Sequence, residues 1–503
     1  MGGQASKPSG MSLHEKTVVD RLRDVQLEDD YVEVDASAEK GGVRVHREAE
    51  GLPLTLVESW QKSILSDPKN RLALTALSSA NPREVLTSLS TKIADQHLYN
   101  IKIPFEGGPI TNQRRSGRCW LFASTNVFRV AIMKRYNLED FELSQAYLFY
   151  WDKLEKANWF LEQIIDTADE DLDGRLVQAL LGDIVSDGGQ WDMVYNLVEK
   201  YGLVPQTLYP DSWNAMNSSV LNSVIKTKLR EFALKLRKLS KSDSGASVAT
   251  LSSAKAKMME EISLIMTLLL GPPPKPDEVF TWQYADKDGK AHELKIKPKD
   301  FAQYIDSKAA ITATSIKNMI SLVHDPRHKP MSLLTVSRLG NIVGGRPIQY
   351  VNVDMDTLKS TCIETLKAGI PIFFGSDVGQ FSDSKSGIMD TALYGYELGF
   401  GSNLMGMSKA ERLSTGESLM THAMVLTAVH VDEETGKPVR WRVQNSWGAD
   451  AGEKGWFVMG DSWMDEFVFQ AVVDVRFCSK DVKDVLKQEP IVLPLWDPMG
   501  SLA

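Results

Sequence analysis

The stretch TNQRRSGRCWLFASTNVFR, residues 111–129, changes character at Cys119. The residues before it are polar and rich in arginine, whereas those after it are mostly apolar. Leu121, Thr125 and Phe128 recur at the spacing of one helix face, which predicts a helix that begins at Cys119. Unpaired backbone N–H groups at a helix N-terminus favour a thiolate over a thiol. Cys119 is therefore a candidate nucleophile, and a small buried apolar residue is the alternative interpretation of a lone cysteine.

A nucleophilic thiol needs a base that a third group holds in place. Of the eight histidines, His422 and His430 flank the apolar run AMVLTAV, and the turn DEETGKP at 432–438 predicts a hairpin with the next strand. His422 then lies opposite about position 448, within about three residue pairs of Asn445. An asparagine there can orient the imidazole and fix its tautomer. The alternative is a buried strand histidine next to a turn asparagine.

Gln113 precedes Cys119 by six residues. Its side-chain amide, together with the backbone N–H of Cys119, could hold the oxyanion that forms when a thiolate attacks a carbonyl. A loop glutamine is more often simply solvated. The other candidates around Gln113 give it functional interest.

Composition excludes several classes of protein. The chain of 503 residues is 43% apolar and 24% charged, with a net charge of −9, which is typical of a globular protein and argues against a dedicated polyanion binder. Three cysteines are too few for a disulfide framework, and no apolar run is long enough to span a membrane. We therefore expect a cytoplasmic protein with no metal or cofactor. The N-terminal MGGQAS fits a myristoylation pattern at Gly2, so membrane contact is expected only if Gly2 is acylated; a flexible tail is the favoured alternative.

The order of patterns along the chain predicts an α+β protein. Helical patterning dominates the front of the chain, and β-branched or aromatic runs such as PIQYVNVDM, GIPIFFGSDV, THAMVLTAVHV, VRWRVQNSW and GWFVMG dominate the back. The predicted organisation is a polar N-terminal extension at 1–50, a helical lobe with the nucleophile at 51–210, a helical insertion at 211–335, a β-rich lobe with the histidine and asparagine at 336–480, and an extended C-terminal arm at 481–503.

These motifs carry a family resemblance. Gln113 with Cys119-Trp120, then THA at 421–423 and NSWG at 445–448, resemble the papain-like cysteine peptidases. Ser116 stands where papain relatives carry a half-cystine, which fits a reducing compartment. His422 follows Cys119 by 303 residues, far beyond the roughly 130 to 150 of papain. This longer spacing is typical of the bleomycin hydrolase family, the aminopeptidase C type. The chain resembles that family from about residue 55 onward, in the motifs SGRCWLFA and LMTHAM and in the ending PLWDPMGSLA.

The resemblance implies a two-lobed papain-like core and a cytosolic cysteine aminopeptidase that forms a homohexamer and acts on peptides with a free N-terminus. It implies that Cys119 is the nucleophile, His422 its ion-pair partner and general acid, Asn445 the residue that orients the imidazole, and Gln113 the oxyanion donor. Further implied roles fall on four positions: Gly188 and Gly189, which let the substrate backbone approach, Trp447, which shields the His–Asn hydrogen bond, and Ala503, whose carboxylate meets the substrate's α-amino group.

Three alternatives remain open. One is a papain-like endopeptidase, and another is a catalytically dead scaffold, against which the intact Gln–Cys–His–Asn set argues. The third is a nucleic-acid-binding assembly, because residues 225–241 place apolar side chains on one helix face and basic side chains on the rest. Such a face is more often only solvated. The basic residues are Lys226, Lys228, Arg230, Lys235, Arg237, Lys238 and Lys241.

Overall fold

A computed structural model describes residues 51–241, 247–303 and 316–502. The predicted extension at 1–50, with Gly2, and the terminal Ala503 lie outside the described residues. The chain divides into two units, Met1–Leu72 and Ala73–Ala503. In the first unit, the described residues form the helix Leu54–Ser66 and the beginning of the helix Pro68–Leu77.

Helices alternate with short strands along the described chain. In chain order the α-helices are α1 Leu54–Ser66, α2 Pro68–Leu77, α3 Pro82–Val85, α4 Leu89–Ala94, α5 Cys119–Tyr136, α6 Gln145–Asp166, α7 Arg175–Gly182, α8 Trp191–Tyr201, α9 Trp213–Met216, α10 Ser219–Ser240, α11 Val248–Leu270, α12 Pro298–Ala302, α13 Met355–Lys367, α14 Tyr396–Phe400, α15 Lys409–Thr415, α16 Asp461–Phe467 and α17 Lys480–Val485. The strands are β1 Ile101–Lys102, β2 Phe280–Ala285, β3 Ala291–Ile296, β4 Met319–Val323, β5 Ser332–Val336, β6 Tyr350–Asn352, β7 Ile372–Ser376, β8 Ser382–Asp383, β9 Ile388–Met389, β10 His422–Val431, β11 Pro438–Gln444, β12 Trp456–Gly460, β13 Val468–Asp474 and β14 Ile491–Leu493.

One large mixed sheet organises the second unit. Its strand order is β14–β5–β6–β4–β13–β7–β10–β11–β12–β9–β8, with β1 paired to β10. The pairs β4–β6, β5–β14 and β9–β12 are parallel, and the others are antiparallel. The five strands predicted in the back of the chain are confirmed as β6, β7, β10, β11 and β12. The predicted α+β class is therefore confirmed.

The segment 211–335 is less helical than predicted. Helices α10 and α11 occupy Ser219–Ser240 and Val248–Leu270, but the later described residues of the segment include the hairpin β2–β3 and two strands of the large sheet, β4 and β5. Strand β4 has the sequence MISLV and is buried throughout. A short, fully buried strand lacks the alternation that distinguishes a strand from a buried helix.

Helix α5 packs against strand β10. Side chains alternate along β10, so that Ala423 and Val425 share a core with Cys119, whereas Met424 and Leu426 belong to a second core. Every residue of α5 from Cys119 to Met133 is buried. The predicted helix start at Cys119 is confirmed, and the burial extends beyond the face that Leu121, Thr125 and Phe128 share.

The glycine loop before α8 packs on the first turn of α5. A Cβ atom at Gly189 would come within 2.5 Å of the Trp120 ring. The Trp120 indole N–H also donates to the backbone carbonyl of Asp187 at 2.6 Å. Gly189 therefore has a packing reason to be glycine, independent of any contact with substrate.

We predict that Gly189→Ala lowers the free energy of unfolding by about 1–3 kcal/mol, because the added methyl group has to displace the Trp120 ring. Gly182→Ala is the matched control, since a Cβ atom there meets no atom within 4 Å. The control is expected to leave stability within about 1 kcal/mol of the wild type or to raise it. Chemical denaturation of both variants is the measurement, and equal midpoints would contradict the packing role.

Candidate active site

Cys119 stands at the first position of α5, directly beside the start of β10. Its side chain is almost fully buried. The sulfur lies within hydrogen-bonding reach of the backbone N–H groups of Cys119 itself, of Trp120 and of Ala423. Ala423 follows His422 in the chain. The fold therefore brings the cysteine next to the predicted histidine, although 303 residues separate the two in sequence.

The imidazole of His422 is held by Asn445. The distance between Nε2 of His422 and Oδ1 of Asn445 is 2.9 Å. The backbone N–H of Ser446 donates to the same Oδ1 at 2.8 Å, which identifies that atom as the oxygen of the amide. Nε2 must then carry the proton of the neutral ring, and Nδ1 keeps its lone pair. In this tautomer Nδ1 can accept a proton from a neighbouring thiol.

Burial determines the protonation of both side chains. It raises the pKa of the Cys119 thiol to about 11, although the nearby backbone N–H groups oppose it. It lowers the pKa of His422 to about 4, although the hydrogen bond to Asn445 opposes it. Each group alone is therefore neutral at neutral pH. The helix start does not by itself produce the thiolate that the sequence predicts, because desolvation outweighs it, and the sulfur needs an adjacent proton acceptor.

Gln113 lies in the same hydrogen-bonded network. Its Oε1 accepts from the hydroxyl of Ser446 at 2.7 Å, and its backbone N–H donates to the Ser446 carbonyl at 2.8 Å. Its Nε2 donates to the carbonyl of Ser116 at 2.8 Å, which uses one of the two amide protons. The second N–H is available to a further acceptor. The two partners of Gln113 are the neighbour of Asn445 and a residue three positions before Cys119.

Trp447 covers the His–Asn hydrogen bond from one side. Its ring centroid lies 4.9 Å from that of His422, with the planes inclined by 31°. Gly448 follows with a positive φ of 83°, and a Cβ atom there would come within 2.5 Å of the Asn112 amide. The NSWG motif thus brings the end of the β10–β11 hairpin close to the loop that precedes Cys119.

Asp187 organises the loop beside the nucleophile, and the sequence analysis missed it. Its carboxylate pairs with the buried Lys153 at 2.6 Å and accepts from the backbone N–H of Gly117 at 3.0 Å, and it also accepts from the side chains of Ser218 and Asn222. Burial would raise the pKa of this carboxyl, but Lys153 and the hydrogen bonds outweigh burial and hold the pKa below its ordinary range. The signal in the sequence was indirect: a lysine among the aromatic residues of α6 needs a buried acceptor.

A second buried lysine, Lys156, holds the loop that contains Gly188 and Gly189. Nζ of Lys156 donates to the carbonyl of Gly188 at 2.6 Å and to that of Ser186 at 3.0 Å. Gly188 and Gly189 are both buried in the described chain. Their predicted contact with substrate stays a prediction, and their position beside Trp120 is an observation.

The C-terminal arm reaches this site. Upstream, β14 pairs with β5, Trp496 lies 4.4 Å from the guanidinium of Arg175, and Asp497 pairs with Arg327 at 2.8 Å. These contacts anchor the arm on both sides of its tryptophan. The predicted arm at 481–503 is not extended throughout: it begins within helix α17, Lys480–Val485, continues as β14 and makes one short 3₁₀ turn at Pro498–Gly500.

Ser501 connects the glycine loop to the residues just before His422. Its carbonyl accepts from Nε2 of Gln190 at 2.7 Å, and its hydroxyl donates to the carbonyl of Met420 at 2.9 Å. Gln190 follows the glycine pair, and Met420 precedes His422 by two residues. Ala503, the predicted contact for the substrate's amino group, lies outside the described residues. The sequence analysis did not single out Gln190 or Met420.

The cysteines of the chain are not joined in disulfides. Cys119, Cys362 and Cys478 are all free and buried. Across residues 51–502, leaving aside the two undescribed gaps, no group of three His, Cys, Asp or Glu side chains is arranged to hold a metal ion. The same part of the chain contains no helix long and apolar enough to cross a membrane.

Comparison with known proteins places this geometry in a family. The model of the Peptidase C1-like family matches residues 51–500. Cysteine proteinase 1, mitochondrial, from Saccharomyces cerevisiae is 44% identical over 464 residues, which are 91% of this chain and 94% of the relative. Bleomycin hydrolase from Homo sapiens is 44% identical over 459 residues, which are 90% of this chain and 99% of the relative.

A solved structure agrees with both relatives. The crystal structure of PepW from Lactobacillus rhamnosis is 40% identical in sequence and has a TM-score of 0.85, covering 90% of this chain and 99% of that chain. The predicted two-lobed papain-like architecture is therefore shared with a protein of similar length. The chain belongs to the Peptidase C1-like family, among the relatives of bleomycin hydrolase, and is a papain-like cysteine peptidase.

Proposed function

We propose that this protein is a cysteine aminopeptidase, which removes N-terminal residues from peptides and from amide-bearing analogues such as bleomycin. The placement of Ser501 between Gln190 and Met420 carries the proposal. An arm docked there blocks the side of the cleft on which a longer substrate would continue. A substrate can then extend in one direction only from the scissile bond, so its chain has to begin near the arm.

The chemistry follows from the proton balance of the pair. As the sulfur of Cys119 attacks the substrate carbonyl, its proton passes to Nδ1 of His422. The protonated imidazole then gives that proton to the leaving amine, and the carbonyl carbon stays bound to sulfur as a thioester. Water next attacks the thioester, and its proton returns through His422 to the departing sulfur. Asn445 holds the imidazole in the tautomer that both transfers need.

Charge that develops on the substrate oxygen needs hydrogen-bond donors. We propose the free N–H of the Gln113 amide and the backbone N–H at the start of α5 as these donors. Both are fixed by the fold before the substrate arrives, so they need little reorganisation during the reaction. Trp447 covers the His–Asn hydrogen bond and reduces competition from water.

The substrate's α-ammonium group requires a counter-charge in the blocked part of the cleft. We propose that the terminal carboxylate of Ala503 supplies it, since Ser501 already lies at the glycine loop. A charged group left unpaired away from water costs several kcal/mol. A substrate without a charged N-terminus would leave the carboxylate unpaired, so this contact discriminates against such substrates. Gly188 and Gly189 are proposed to let the substrate backbone approach.

The nucleic-acid alternative has less support than peptide hydrolysis. On α10, the side chains of Lys228 and Lys235 pair with Glu231, Lys226 lies 3.8 Å from Asp183, and the guanidinium of Arg237 is buried. Positive charge that is already paired releases fewer counterions on binding phosphate.

Assembly and location follow from the same resemblance. We propose a homohexamer, because large apolar side chains are exposed on α9, α10 and α11 and need cover. They are Trp213, Val220, Val224, Leu234, Val248, Leu264 and Leu268. We propose a cytoplasmic location, which three free cysteines support. Membrane contact is proposed only for a chain that is myristoylated at Gly2.

We predict that Gln113→Ala lowers kcat for peptide hydrolysis by about 10²–10³, because one oxyanion donor is lost. Alkylation of Cys119 by iodoacetamide forms no oxyanion, so its rate is expected to change little in the same variant. Stopped-flow hydrolysis and mass-spectrometric alkylation measure the two quantities. An equal loss in both rates would mean that Gln113 only supports the local structure.

We predict that the enzyme prefers a peptide with a free N-terminus over its acetylated twin by roughly a hundredfold or more, because acetylation removes the charge that the arm recognises. A chain shortened by residues 501–503 is expected to cleave the acetylated peptide and to cleave within longer chains. Cys119→Ala, which should lose both activities, assigns them to one site. Preference of the intact enzyme for the acetylated peptide would overturn the aminopeptidase assignment in favour of an endopeptidase.

A further inference from the structure

Gln190 stands at the N-cap of α8, but its side chain does not cap the helix. It is the residue before α8, the N-cap position, where Ser, Thr, Asp or Asn normally bonds a free backbone N–H of the first turn. The Gln190 side chain makes no such bond. The residue is buried, with 1% of its surface exposed, so its amide cannot be satisfied by bulk water.

The amide is instead directed at the arm. Its Nε2 donates to the carbonyl of Ser501, and its Oε1 is buried without a hydrogen-bond partner among the described residues. A carbonyl accepts and does not donate, so the bond to Ser501 fixes which end of the amide is the nitrogen. The bond to the arm is therefore kept even though the other end of the amide is left unsatisfied, which is itself unfavourable.

We infer that Gln190 is a specificity-determining positioning residue, which ties the end of the arm to the glycine loop and so determines where the N-terminus of a substrate must lie. The hydroxyl of Ser501 ties the same residue to Met420 on the β10 side of the cleft. Two bonds to opposite walls hold Ser501 in place along the cleft. The role of Gln190 rests on the proposed aminopeptidase function and names the residue that enforces it.

The position of Gln190 makes this role separable from catalysis. It touches neither Cys119 nor His422 in any described hydrogen bond, and its backbone carbonyl still accepts from Met193 and Val194 whatever its side chain is. A change of side chain therefore leaves the start of α8 and the catalytic pair in place. It alters only how firmly the arm is held.

The test uses matched peptides with free and acetylated N-termini and the variants Gln190→Ala and Ser501→Ala. Loss of one hydrogen bond to the arm is expected to raise KM for the free peptide by roughly three- to tenfold and to leave kcat within about twofold. The acetylated peptide is expected to be cleaved faster, so the free-to-acetylated ratio of kcat/KM falls by more than tenfold, from roughly a hundred in the wild type. Ser501→Ala, which keeps its carbonyl, is expected to give a smaller change in the same direction.

Gln178→Ala is the control. Gln178 is exposed on α7 and its Nε2 also donates to a backbone carbonyl at 2.7 Å, but that carbonyl belongs to Leu172 and not to the arm. This variant is expected to keep the wild-type ratio. Thermal unfolding and the fraction of Cys119 that can be alkylated check that each variant is folded.

Two failures can be told apart. If the wild type already prefers the acetylated peptide, the proposed function fails. If the wild type prefers the free peptide, shortening by residues 501–503 abolishes the preference, and Gln190→Ala retains it, then the arm works without Gln190 and the inference is overturned. An equal loss of kcat/KM on both peptides in Gln190→Ala would likewise reduce its role to stability.

Discussion

The packing of α5 on the start of β10 is the constraint on which the site depends. It removes the sulfur of Cys119 and the imidazole of His422 from water together. Burial therefore raises the pKa of the thiol and lowers that of the imidazole, and both shifts favour the neutral form. A neutral thiol is a poor nucleophile, so burial alone would produce an inert cysteine. We propose that one proton passes between the two groups without leaving the site. The neutral pair and the ion pair contain the same number of protons, so such a pair would titrate as a unit.

Everything around that pair serves to keep the geometry fixed. Asn445 and the backbone N–H of Ser446 select the tautomer, and Ser446 in turn holds Gln113. Asp187, neutralised by the buried Lys153, connects the loop before Cys119 to the glycine loop. His422, Gln113 and the glycine loop are thus connected through one set of hydrogen bonds. Preorganisation of this kind is what makes electrostatic stabilisation effective in a water-excluded site.

Much of this could be predicted from sequence because the strongest signals are local. The helix start at Cys119, the hairpin that brings His422 near Asn445 and the strands of the β-rich part all follow from turn residues and periodicity. Other features depend on tertiary contacts. Strand β4 is buried on both faces, so its sequence lacks the alternation of a strand and the segment was predicted to be helical. Asp187 acquires its role only when the fold places Lys153 opposite it. Gln190 acts on a carbonyl 311 residues away, a contact that no local pattern encodes.

The rate at which iodoacetamide alkylates Cys119, followed by mass spectrometry across pH, tests the central claim most directly. With His422 as proton acceptor, the wild type should show thiolate reactivity over a plateau that extends through neutral pH and falls only when the pair gains a second proton in acid. In His422→Ala the plateau should vanish, leaving a single rise at alkaline pH, because burial then holds the thiol pKa near 11. Profiles that coincide, each with only the alkaline rise, would contradict proton sharing between Cys119 and His422.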